Sequence, residues 1–248
     1  MELGRQFKEP FTCLVSGPTG SGKTVLVRRL LANHNLLFSG DRSVLKVIWC
    51  YGIFQDTYLI RLPGVEIHYH DGLVSEEDLK SIKPDVLVLD DLMNELGGDR
   101  RLTNLFTRGS HHLGFSIFYL TQNLYHRGSE MRTVSLNSQY IILLKNPRDK
   151  RQISHFASQI YPGNHRHMLE SYEDATSRPF GYLLVDLKPG TPDVCRLRTR
   201  LTPEEFGGVF SPVVCVPKKN VSKFTSKTVP AETDLKDQKP ETPRRRSL

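Results

Sequence analysis

No run of apolar residues in the 248-residue sequence approaches the roughly 18 that a membrane-spanning helix requires, which argues against a membrane protein. The stretch from Met1 to Pro10 carries charges and no apolar core, so a secretion signal is not expected. Cysteine is scarce. The four, Cys13, Cys50, Cys195 and Cys215, contain no C-x-x-C pair, which leaves no zinc-ribbon or disulfide framework to read. Cys13 and Cys50 lie inside apolar, strand-like runs where a reduced thiol packs as a small hydrophobe, and a reducing compartment, cytosol or nucleus, fits best. No repeat recurs at solenoid periods. The pairs His68/His70 and His111/His112 lack a third ligand at metal-binding spacing, so structural zinc is not expected either.

Charge is unevenly spread. The chain has a net charge of +7, but residues 217–248 hold nine Lys/Arg against four Asp/Glu, which leaves about +2 on everything before them. The same segment has four prolines and one aromatic, too little apolar surface to offset its ordering entropy. The expected organisation is therefore a folded domain over 1–216 followed by a disordered basic tail over 217–248. The run Arg244–Arg246 near its end fits a solvated tail, an import or phosphorylation motif, or a non-specific DNA contact.

Within the folded part, apolar strand segments alternate with helical patterns. Phe11 to Ser16, Lys46 to Tyr51, Val65 to His70, Val86 to Leu89, Ser116 to Leu120, Tyr140 to Leu144 and Gly181 to Val185 read as strands. Val27, Leu30 and Leu31 share one face of a helix over Thr24 to Ala32, and Ser75 with the acids behind it opens another. Continuous apolar strands separated by helices predict an α/β fold: a mostly parallel sheet with helices on both faces, binding its ligand at the carboxyl ends of the strands.

The chemistry is written at three of those ends. Gly17, Pro18, Thr19, Gly20, Ser21, Gly22, Lys23 and Thr24 form G-x-x-x-x-G-K-[ST] between the first strand and a helix, the context that a phosphate-binding P-loop needs. The glycines let successive N–H groups turn inward onto phosphate oxygens, Lys23 adds a full charge, and Thr24 offers a hydroxyl to Mg²⁺. The strand Val86 to Leu89 runs into Asp90 and Asp91: Asp90 is expected to hold the Mg²⁺ shell and Asp91 to orient or deprotonate a water. Glu95 is a more remote alternative to Asp91. A third strand ends at Gln122, whose amide suits both the γ-phosphate and the attacking water. Arg127, Arg132 and Arg148 follow strands whose ends share this edge, so each is a candidate to reach the nucleotide of a neighbouring subunit, Arg132 first and Arg148 second.

The stretches VLVLDDLMNE, LFTRGSHH, SIFYLTQNLYHRG, LNSQYIILLKNPRDKRQISHFASQIYP and GYLLVDLKPGTPD resemble the genome-packaging ATPases of Maverick/Polinton elements, adintoviruses and virophages. Those proteins are similar to poxvirus packaging ATPases, within the FtsK/HerA class of P-loop motors. The resemblance runs from about Phe11 to about Thr202. It implies an ASCE-type P-loop NTPase in which the Gln122 strand is inserted between the P-loop strand and the Asp90 strand. It also implies an ATP- and Mg²⁺-dependent motor that assembles as a homo-oligomeric ring and drives double-stranded DNA into a capsid, at its portal vertex, in the nucleus or cytoplasm of a host cell. Many relatives carry Glu where this chain has Asp91. A nucleoside or nucleotide kinase and a nucleotide-dependent DNA-binding switch are the rival readings; two adjacent acids with a strand-end glutamine favour water over another acceptor.

Overall fold

A computed structural model describes residues 6–92, 100–109, 113–125, 129–206 and 213–215. The element order opens with β1 (Thr12–Ser16), α1 (Lys23–Ala32), α2 (His34–Leu37), β2 (Leu45–Tyr51), a 3₁₀ turn (Asp56–Leu59) and β3 (Val65–Asp71). It continues through α3 (Glu76–Ile82), β4 (Val86–Asp90), α4 (Arg100–Asn104), β5 (Ser116–Thr121), α5 (Ser129–Leu136) and β6 (Tyr140–Leu144). The last part holds α6 (Lys150–Ile160), α7 (His165–Ala175), β7 (Tyr182–Asp186), β8 (Leu197–Thr199) and β9 (Val213–Val214).

These strands make one sheet in the order β3-β2-β4-β5-β1-β6-β7-β8-β9. From β3 to β6 every pairing is parallel, and β7, β8 and β9 add an antiparallel flank. The strand that ends at Gln122, β5, lies between β1 and β4, with Ser16 in register with Thr121. This is the inserted-strand order of an ASCE-type P-loop fold.

Alternate residues of the same strands feed two cores. Leu14, Ile48, Leu87, Ile117 and Ile141 point to one face, where Leu79 of α3, Leu102 of α4, Val134 of α5, Phe156 of α6 and Met168 of α7 cover them. Val15, Trp49, Val88, Phe118 and Ile142 point to the other, beneath Val27, Leu30 and Leu31 of α1. Burial on both faces is why the strands read as unbroken apolar runs rather than as alternation. The distribution follows from handedness: β1 to β2 steps one way along the sheet and carries α1 on one face, whereas the returns through β4, β5 and β6 carry α3 to α5 on the other. The reversal falls at β1, so the loop that leaves β1 opens onto the crevice where such sheets bind ligands.

Ser75 caps α3 as expected, its Oγ accepting from the backbone N–H of Asp78 at 3.1 Å. Cys13, Cys50 and Cys195 are buried free thiols. No helix among the described residues is long and apolar enough to cross a membrane, and none of their His, Cys, Asp and Glu side chains cluster as a metal site, His68 and His70 included. His111, His112, Glu95, Arg127 and the segment 217–248 lie outside the described residues.

Candidate nucleotide site

The P-loop emerges where β1 is held from both sides. The N–H of Gly17 donates to the carbonyl of Thr121 at 3.1 Å, which ties the first residue of the loop to the last residue of β5. The chain then turns through Gly22 in the left-handed region (φ 94°, ψ 17°), a conformation nearly free for glycine and costly for other residues, and enters α1. No acidic side chain occupies the first turn of α1. Its unpaired N–H groups and dipole therefore face the loop uncompensated, as an anion site requires. Lys23 folds back over the loop, its Nζ donating to the carbonyls of Gly17 at 2.7 Å and Pro18 at 3.1 Å. Burial lowers the pKa of this ammonium, and the carboxylates of Asp90 and Asp91 oppose that shift.

Across the crevice, β4 delivers Asp90 at its buried end. Oδ2 of Asp90 accepts from Thr24 Oγ1 at 3.0 Å and from Tyr58 OH at 2.9 Å. Desolvation still wins: the Asp90 carboxyl is held above the usual carboxylate range, with the hydrogen bonds of Tyr58 and Thr24 and the charge of Lys23 pulling it down and Asp91 pushing it up. Asp91 leaves the strand in the left-handed region at φ 55° and is exposed. Asp is among the few residue types that enter this region readily. Gln122, one residue past β5, brings its Nε2 to 3.4 Å from Asp91 Oδ1.

Thr19, Gly20, Lys23, Gln55, Asp90, Asp91, Leu120 and Gln122 thus enclose one cavity of about 250 Å³. A larger cleft of about 500 Å³ lies between α3 and α4, but it gathers no comparable set of phosphate and metal ligands. The residues present fit a Mg²⁺–nucleotide. Thr24 and Asp90 set two hard oxygen donors side by side, enough for an ion that keeps several of its waters. Within the loop, the buried Oγ of Ser21 has no hydrogen-bond partner among the described residues, as expected of a group whose partner is a ligand.

Of the expected site residues, the P-loop, Asp90, Asp91 and Gln122 come together on this edge. Arg132 and Arg148 do not line the cavity. Arg132 is exposed on α5, which runs from the β5 end of the site back to the opposite edge, where the carbonyl of Asn137 accepts from Thr12 Oγ1 at 2.7 Å. Arg148 is exposed beyond β6 in a corner held by Asn146, whose Oδ1 accepts from the N–H groups of Arg148 at 3.1 Å and Asp149 at 3.2 Å.

Two site residues carry no motif in the sequence. Gln55 and Tyr58 belong to the irregular connection between β2 and β3, and the trace they leave is a local richness in aromatics from Trp49 to Tyr58. Tyr58 stacks on Tyr69 with ring centroids 5.1 Å apart and packs against Trp49 at 5.5 Å, which fixes the direction of its hydroxyl. Arg28, buried one helical turn after Thr24, clamps the same connection by donating to the carbonyl of Ile60, and to Tyr69 OH at 2.7 Å.

No family model matches the chain, and no curated protein matches it. Among solved structures, the genome packaging NTPase B204 from Sulfolobus turreted icosahedral virus 2 in complex with AMPPCP superposes with a TM-score of 0.46 at 13% identity, over 72% of this chain and 93% of that one. The same protein in complex with ATP-gammaS gives 0.45 at 15% identity, over 72% and 92%. The Legionella pneumophila ATPase DotB gives 0.38 at 11%, over 71% and 54%. Likeness at this level assigns neither substrate nor partner.

Proposed function

We propose that the chain is an ATPase that hydrolyses ATP with water as the acceptor and uses the reaction to move double-stranded DNA, packaging a viral genome into a capsid. The observation that carries the hydrolytic part is the convergence of Asp91 and Gln122, 3.4 Å apart, over a cavity also lined by Lys23 and Asp90. The DNA substrate, the homo-oligomeric ring and the capsid partner rest on the resemblance of the sequence segments to packaging ATPases, together with the basic excess of the chain.

The N–H groups of the P-loop and the start of α1 cradle the phosphates in this reading. Lys23 exchanges its bonds to the loop carbonyls for contacts to the β- and γ-phosphoryl oxygens, and its charge offsets the charge that builds there. Thr24 and Asp90 would hold Mg²⁺, which would supply further neutralisation of that charge. Tyr58 keeps Asp90 in place when the Thr24 hydroxyl turns away from it. Asp91 accepts a hydrogen bond or proton from the attacking water, and the Gln122 amide orients that water. Arg132 and Arg148 are the candidates to serve the site of an adjacent subunit, as a trans arginine does in related phosphoryl transfers.

The test is steady-state ATP turnover of the full chain without any acceptor other than water, measured with and without double-stranded DNA and alongside particle mass. Turnover that rises with DNA, in a multi-subunit particle, is the expected result. Turnover only after addition of a nucleoside or nucleotide acceptor would identify a kinase, and negligible turnover under every condition would leave a binding switch.

A further inference from the structure

The cavity that gathers the two acids and Gln122 also fixes which way a nucleotide must lie. β4 and β5 stand on one side of β1, and β6 and β7 on the other. A triphosphate whose reacting end faces Asp90, Asp91 and Gln122 therefore sends its sugar and base across the loop, toward β6 and β7. β7 runs antiparallel to β6, so the end that it presents at this edge is its beginning.

The turn that leads into β7 puts an aromatic ring there. The N–H of Gly181 donates to the carbonyl of Arg178 at 3.1 Å, closing a turn with Pro179 and Phe180 at its centre. Phe180 sits at φ 58°, where a bulky side chain is rarely found and is strained. It is nevertheless 71% exposed, so burial of the ring in a core does not offset that strain. Its Cδ1 lies 3.0 Å from the point that a Cβ on Gly22 would occupy, which seats the ring on the P-loop backbone where α1 begins. Beside it opens a cavity of about 320 Å³ whose lining includes Arg29, Asp174, Arg178, Arg200 and Glu205.

We infer that Phe180 is the stacking platform for the base of the bound nucleotide, with the cavity beside it receiving the base and ribose. An aromatic face seated next to the loop gives the base a planar, apolar partner, and the arginines around it offer charge to the phosphate nearest the sugar. The strained turn is then the means by which the ring is kept facing outward over the loop. This inference rests on the nucleotide-binding reading above.

Calorimetric titration of the full chain with ATPγS and, separately, with inorganic tripolyphosphate tests it. Phe180→Ala is expected to weaken ATPγS binding about tenfold, the scale of one aromatic–base stack, and to leave tripolyphosphate binding unchanged. Phe180→Trp should keep the ATPγS affinity within about twofold of wild type, since the larger ring still offers a stacking face. Unchanged ATPγS binding by Phe180→Ala would overturn the inference. So would an equal loss for both ligands, because Phe180 would then act by shaping the loop through Gly22. Lys23→Ala is expected to lose both ligands; if it binds both as the wild type does, the nucleotide reading of the P-loop fails first, and the platform with it.

Discussion

Asp90 shows how one residue carries a conflict between folding and function. Its carboxyl is buried by β4 and its pKa is raised by desolvation, despite donors from Tyr58 and Thr24 and the charge of Lys23. For an acid raised in the folded state, the contribution to stability is complete below the unfolded value of about 3.9 and is lost as pH climbs through the folded value. At neutral pH, without metal, the ionised carboxylate is thus a net cost. Asp90→Asn, with EDTA present, should raise the melting temperature at pH 7 by about 1–3 °C, and the difference should close near pH 4. A variant that melts below wild type at pH 7 would show that the charge itself stabilises the fold. Tyr58→Phe leaves the stacking on Tyr69 in place but removes one of the donors to Asp90, so turnover should fall about tenfold with little change in melting temperature. Full activity would mean that Thr24 alone suffices to place Asp90. The two residues differ in how far they could be seen beforehand. Asp90 ends an apolar strand and so announces itself, whereas Tyr58 reaches it from an irregular connection 32 positions away, where no periodicity marks which aromatic turns inward.

At the scale of elements, the site depends on where three strands stop. β1, β4 and β5 are parallel and in register, so the residues just past each one meet at a single edge; this convergence is what the motif at each strand end foretold. The supports between strands are less legible. Gly52, just past β2, donates its N–H to the carbonyl of Asp90 at 3.2 Å, and a Cβ added there would lie 2.7 Å from the carbonyl oxygen of Asp91. Gly52→Ala must therefore displace the backbone that aims Asp91. Turnover is expected to drop about tenfold while nucleotide affinity stays within about twofold, since misplacement acts on the reacting geometry and not on the phosphate cradle. An equal loss of affinity and turnover, measured by titration and steady-state kinetics, would place the damage in the P-loop instead. β8 and β9, three and two residues long, were not expected, because strands so short leave no pattern to read.

For the molecule as a whole, the alternation of helices and strands was enough to foretell a mostly parallel sheet covered on both faces, because continuous apolar strands have few other uses. The antiparallel flank was not foretold, and it contains a charge pair that hydropathy would place outside. Arg198 of β8 and Asp186 of β7 meet at 2.7 Å with side chains 3% and 4% exposed. Removing the carboxylate takes from the guanidinium a counter-charge that a poorly solvating medium does not replace. Asp186→Ala should cost about 3–5 kcal/mol in urea denaturation, a large share of the stability of a domain this size, because it removes a charge-assisted hydrogen bond of 2.7 Å from a buried guanidinium. A cost below about 1 kcal/mol would indicate that water reaches the pair.

The position of β1 has a consequence for time as well as for space. The strand is paired on both sides, by β5 and β6, all five of its residues are buried, and the ring cluster of Phe7, Phe11, Phe38, Phe118 and Tyr140 packs around its first residues. Its amides should be among the last in the chain to exchange with deuterium, opening only with global unfolding, while the N–H groups of Thr19 and Gly20, a few residues on, exchange quickly until phosphate covers them. Addition of ATPγS should therefore slow exchange in the loop by orders of magnitude and leave β1 unchanged. The steepest gradient of hydrogen exchange in the protein would then fall within the eight residues from Leu14 to Ser21, where the slowest part of the fold hands over to the part that must respond to each nucleotide.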